Sequence, residues 1–206
     1  MKTHNVVHNL TILVLVLFIT IGCKSILSLK YGVRSPKEET PEGLISFLEK
    51  QKFPICNMYI FSDSASYSRA FRNRVFSKNL LSYMNFDKDG ILLVRDTTKC
   101  QWAGNDFIKV LNKDSTYKKW AGFTLSQILD HIQPISNNSG QDILLRDPDF
   151  TVVVTWAKFL GKYNYRLFDL AGAVKENKRS RIRIIWLNVD MQESWHLTGQ
   201  QKLFFK

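Results

Sequence analysis

The chain has 206 residues (24.0 kDa), 45% of them hydrophobic and 23% charged, with a formal net charge of +11 and a sequence pI near 9.6. That apolar content is ordinary for a globular protein and excludes a disordered or low-complexity chain, and one domain of this length can bury a real core. A balance this basic asks for anionic surroundings, so which anions are available depends on the compartment.

The compartment is read from the first element. Lys2 precedes Leu10–Gly22, an uncharged apolar run of 13 residues, and Cys23-Lys24-Ser25 follows. A spanning helix wants roughly 20 apolar residues and a signal-peptide core about 7–15, so residues 1–22 read as an export signal. Ile21-Gly22-Cys23 resembles the lipobox of bacterial lipoproteins, where a small residue precedes the cysteine that becomes lipidated; Thr20 stands where Leu is usual. The resemblance implies lipid attachment at Cys23 and a tethered protein in the bacterial cell envelope, facing the periplasm. A signal anchor continuing through Ile26–Leu29 and an ordinary cleaved signal are the alternatives. All three export the rest of the chain. Nucleic acid then drops out as a partner, and anionic headgroups or an acidic polymer take its place, at about 1 kcal/mol per well-placed Lys or Arg near an anionic membrane. A basic face that merely aids solubility is the plainer account.

Residues 23–41 read as a linker punctuated by Ser, Gly and Pro, and 42–206 as one domain. Thr40-Pro41 opens a helix over Glu42–Gln51 with Leu44, Ile45 and Leu48 as its apolar stripe. Met58–Phe61 reads as a strand, and Ser66–Leu81 has helical spacing in Phe71, Val75 and Phe76. Tyr83–Phe86 and Ile91–Arg95 form a hairpin around Asp87-Lys88-Asp89-Gly90, since glycine accepts the positive φ of a tight turn. Residues 97–124 look irregular, with a short helix at Asp106–Leu111. A further helix over Leu125–Ile132 is stopped by Pro134, and Asn137–Gly140 is a loop. The β-branched run Phe150–Thr155, a helix over Lys162–Lys175 and the run Arg181–Val189 make a parallel strand–helix–strand unit, which sets the class as α/β or α+β with a mixed sheet. Lys175, Lys178, Arg179, Arg181 and Arg183 cluster around the start of its second strand.

Three cysteines are present, at 23, 56 and 100. With Cys23 lipidated, Cys56 and Cys100 remain for a disulfide or as two buried thiols. No zinc-ligand spacing, Gly-x-Ser-x-Gly or phosphate-cradling glycine loop occurs, so neither metal nor cofactor is expected. Asp130-His131 reads as a solvated helical pair, and Asp147-Pro148-Asp149 as a turn.

The C-terminal unit resembles the thioredoxin superfamily, in particular its extracytoplasmic, membrane-tethered thiol–disulfide oxidoreductases. In those, a strand runs into Trp-Ala-x-Trp-Cys-x-x-Cys and the next strand ends near Asn-Val-Asp. Here Thr151–Thr155 runs into Trp156-Ala157-Lys158-Phe159-Leu160-Gly161-Lys162-Tyr163, and the next strand ends Leu187-Asn188-Val189-Asp190. Leu160 and Tyr163 stand at the two redox cysteines and Lys162 at the usual proline. Residues Lys78–Met84 lack the family's proline before the hairpin. The resemblance therefore implies a thioredoxin-like mixed sheet with flanking helices but no dithiol chemistry, because only a thiolate attacks a disulfide. The hairpin and helix that end such folds precede the strand–helix–strand unit here, which points to a circularly permuted order; two unrelated small units packed together is the alternative.

Two functions follow. One is a redox-inactive, tethered module that binds or scaffolds an unidentified protein partner. The other is a thiol–disulfide oxidoreductase or redox sensor using Cys56 and Cys100, with Lys99 lowering the pKa of the Cys100 thiol.

Overall fold

The computed structural model describes residues 28–53, 56–73, 76, 82–95, 117–136 and 147–204. In chain order the elements are β1 (Glu38–Glu39), α1 (Pro41–Lys50), β2 (Met58–Phe61), α2 (Ser64–Arg72), β3 (Tyr83–Asp87), β4 (Ile91–Arg95) and β5 (Tyr117–Thr124). Then come α3 (Ser126–Leu129), β6 (Ile132–Pro134), β7 (Phe150–Trp156), a 3-10 segment Lys158–Tyr163, α4 (Asn164–Glu176), β8 (Ile182–Asn188), β9 (Met191–Gln192), a 3-10 turn Glu193–Trp195 and α5 (Gly199–Phe204). No helix among the described residues is long and apolar enough to cross a membrane; the stretch expected to be an export signal, with Cys23, lies outside them.

Seven strands form one mixed α/β sheet in the order β5-β4-β3-β7-β8-β2-β6. β7 and β8 pair in parallel from Phe150 opposite Ile182 to Trp156 opposite Asn188, and β2 continues the parallel set beyond β8. β3 runs antiparallel to β7 on the other side, so both halves of the chain share one sheet and are not two independent units. The strongly apolar runs of β7 and β8 follow from burial on both faces.

Each face carries its own core. On one, Leu44 and Leu48 of α1 and Leu167, Phe168 and Leu170 of α4 pack on Val152, Val154, Trp156 and Trp186. On the other, Tyr67 of α2, Phe76, Ile128 of α3 and Leu160 pack on Phe61, Phe86, Val153, Ile185 and Leu187. Local signals place the helices. The Thr40 hydroxyl caps α1 by accepting from the Gly43 amide at 3.0 Å, and the Asp63 carboxylate caps α2 by accepting from the Ser66 amide at 2.7 Å.

Three expectations are corrected. α2 ends at Arg72, where Asn73 is extended, instead of running to Leu81. Within the stretch expected to be irregular, Tyr117–Thr124 is a strand, β5, at the edge of the sheet. Lys118 through Gly122 are all exposed, so no inward apolar alternation marks it. The helix expected over Leu125–Ile132 is one turn long, and Ile132–Pro134 instead pairs antiparallel with β2. Pro134 serves there because an edge strand tolerates a missing N–H. The expected helix at Asp106–Leu111 and loop at Asn137–Gly140 lie outside the described residues.

Candidate functional site

In sheets with parallel strands, ligands gather beyond the strands' carboxyl ends. At that end of β7, Trp156 is fully buried, stacked on Phe47 with ring centroids 6.2 Å apart. The chain then turns through the 3-10 segment. Leu160 is buried in the core below, Phe159 and Tyr163 are partly packed against it, and Lys162 is exposed. Leu160 and Tyr163, which the resemblance would align with two redox cysteines, are thus a core leucine and a partly packed tyrosine. Gly161 has φ +54° and ψ −127°, in the region favouring glycine. Below it, the fully buried Asn164 ties the loop shut. Its amide donates to the carbonyls of Ala157 (2.8 Å) and Gly161 (3.0 Å).

Beside this loop, just past β8, sits Asp190, 2% exposed. Its Oδ2 accepts from the Lys158 amide at 2.6 Å and from the Asn188 side-chain amide at 2.7 Å, while Oδ1 is buried without a partner. Burial, helped by the charge of Glu39, raises its pKa to about 6 against the pull of those donors. The Tyr67 hydroxyl, 3.3 Å from the Val189 carbonyl oxygen it donates to, is pushed far above the usual phenol range by burial and by the Asp190 charge. Gln192, fully buried, donates to the Asp190 carbonyl at 2.8 Å and completes the cluster.

The stretch expected as a linker lies over this loop. The Arg34 amide donates to the Phe159 carbonyl at 2.8 Å, and the Tyr31 ring meets the Tyr163 ring edge-on at 5.9 Å. β1 pairs in parallel with β9, Glu38 opposite Met191 and Glu39 opposite Gln192. Glu39 pairs with Lys158 at 2.5 Å and Glu38 with Lys202 at 2.6 Å. A Cβ on Gly161 would sit 2.6 Å from the Tyr31 carbonyl oxygen, so the strap and the glycine fit each other. No sequence signal marked the strap, whose Ser and Pro residues read as linker.

The basic cluster is elsewhere and is not one patch. It lies around the amino end of β8, while the loop lies at the carboxyl ends of β7 and β8. Lys178 and Arg179 are exposed and Arg181 pairs with Asp149 at 3.4 Å. Lys175 lies in the last turn of α4. Arg183 lies on the opposite face of the sheet from α4: its neighbours Ile182 and Ile184 belong to the α4-side core, and it donates to the Thr151 hydroxyl at 3.0 Å. Cys56 is exposed in the turn before β2. Cys100, and the pairing of the two, lie outside the described residues.

No protein-family model, no curated protein and no solved structure matches this chain. Its chemistry therefore rests on the geometry alone. Among the described residues no three His, Cys, Asp or Glu side chains gather in a way that could hold a metal ion. Among the described residues Asp190 is the one strongly buried acid at the loop, held by the Lys158 amide and the Asn188 side chain, with the Tyr67 hydroxyl close enough to feel its charge. Sequence reasoning also passed over the His131 environment: His131 is not solvated on a helix but follows α3 and meets Arg69 at 3.1 Å.

Proposed function

We propose that the protein is an exported lipoprotein, tethered through Cys23, whose domain is a circularly permuted, redox-inactive thioredoxin-like module that binds or scaffolds a partner protein. The observation that carries this reading is the loop after β7, where Leu160 is buried and Tyr163 partly packed at the positions of the family's thiols. The sheet order supports the permutation: the antiparallel hairpin β3–β4 lies beside the first strand of the parallel unit but precedes it in the chain. Five peptide units from Cys23 to Ser28 span at most about 18 Å. A lipid on Cys23 would therefore hold the strapped loop close to the bilayer. Strands of seven residues are roughly 20 Å long, so Lys178, Arg179 and Arg181 at the other end would be held away from it. That placement favours an acidic polymer or protein surface over headgroups as their counterpart.

Insulin reduction and scrambled-disulfide isomerisation by the full chain test the redox silence. The expected result is no turnover, and turnover that persists in a Cys56→Ser, Cys100→Ser variant would overturn it. Metabolic labelling with a fatty acid, lost in Cys23→Ala, tests the tether. The second reading, a redox protein using Cys56 and Cys100, draws on the exposure of Cys56. Thiol mapping separates the two: a labile Cys56–Cys100 bond favours the redox reading.

A further inference from the structure

A cleft of about 250 Å³ opens between α2 and α3, on the sheet face away from α4. Its floor is aromatic and aliphatic: Phe61 and Phe76, both 1% exposed with centroids 5.8 Å apart, together with Phe123 and Ile128. Its rim is polar and includes Arg69, His131 and Asp130. The Arg69 guanidinium donates to His131 Nε2 at 3.1 Å. A guanidinium never accepts, so that nitrogen carries no proton and the ring proton sits on Nδ1, 3.5 Å from the Ser66 hydroxyl. This contact uses one of five N–H donors. No carboxylate pairs with Arg69 among the described residues, although Asp130 lines the same cleft.

A permanently charged fork at the mouth of an apolar hollow is the usual composition of a small-ligand site, in which a few placed polar groups orient an apolar body. The volume lies just below the roughly 300–1,000 Å³ typical of such pockets, which limits the ligand to a small one. Asp130 on the rim repels a second negative group, which limits it to one charge.

We propose that this cleft is a binding site for a small amphipathic monocarboxylate, its apolar part on Phe61, Phe76 and Phe123 and its carboxylate on the Arg69 guanidinium. The site is independent of the tether and of the strapped loop. Saturation-transfer NMR on the full chain in lipid nanodiscs tests it, with phenylacetate as probe, 2-phenylethanol as its neutral analogue and empty nanodiscs as blank. Phenylacetate is expected to bind, and Arg69→Gln to weaken it roughly ten- to a hundredfold, the value of a hydrogen bond to a charged group. Phe123→Ala weakens it as well. Arg69→Lys, which keeps the charge, retains binding. Arg72→Gln, on the same helix but outside the cleft, leaves it unchanged. No transfer above the blank, equal binding of the neutral analogue, or undiminished binding to a folded Arg69→Gln protein overturns the proposal.

Discussion

The backbone amide of Lys158 donates to the carboxylate of Asp190 at 2.6 Å, joining the loop after β7 to the end of β8. One buried acid therefore holds together the two segments on which the strap lies, and its protonation reaches stability directly.

Folding raises the pKa of Asp190 from an ordinary 3.8 to about 6. The folded state thus keeps its proton where the unfolded chain has lost it, and stability falls as pH rises from about 4 to about 6, then levels. The shift corresponds to about 2–3 kcal/mol. Asp190→Asn keeps the acceptor oxygen and removes the titration. In urea titrations the variant should gain on the wild type by that amount between pH 4 and pH 7. A stability difference independent of pH would refute the assignment.

Asn164 satisfies the buried Ala157 carbonyl and the part-buried Gly161 carbonyl. Asn164→Ala strands both, at about 1–3 kcal/mol each, so a loss of roughly 2–6 kcal/mol is expected in chemical denaturation. A change near zero would show that the loop rearranges at no cost.

Gly161→Ala forces a side chain into a left-handed conformation and against the Tyr31 and Gly32 carbonyls, at about 1–3 kcal/mol. Relief comes most easily by lifting the strap. Limited trypsinolysis should then cut after Lys30 and Arg34 faster than in the wild type, with the domain beyond Pro41 intact. Unchanged cleavage there, with global stability lost, would place the damage in the core instead.

Asp63→Ala removes the cap of α2 and should cost about 1 kcal/mol by thermal or chemical denaturation. Asp63→Asn, which keeps the acceptor, should recover most of it. Hydrogen bonds from the first turn of α2 hold the Asp63 pKa below the usual carboxylate value, so the cap survives mild acid.

Much of the fold could be read from residue patterns because those patterns were local. Thr40-Pro41 started a helix, Asp89-Gly90 closed a hairpin, and the runs of β7 and β8 announced a parallel pair. β5 and β6 escaped notice for a shared reason: edge strands are half exposed, and their pairing is decided by partners distant in sequence. The same holds for the site. That Leu160 and Tyr163 carry no thiol was legible, since residue identity alone shows it. The burial of Asp190, the clamp of Asn164 and the Arg69–His131 contact were not, because each joins segments whose proximity only the sheet creates.

The strap has a mechanical consequence. Tension applied to the chain before Ser28 passes through the Arg34–Phe159 contact and the two-residue ladder of β1 on β9 before it reaches α1. Those few bonds would peel in turn, while the seven-stranded sheet, loaded only after them, keeps its register. A pull from the N-terminal side would therefore load the strap's contacts with the Gly161 loop before it loads the sheet.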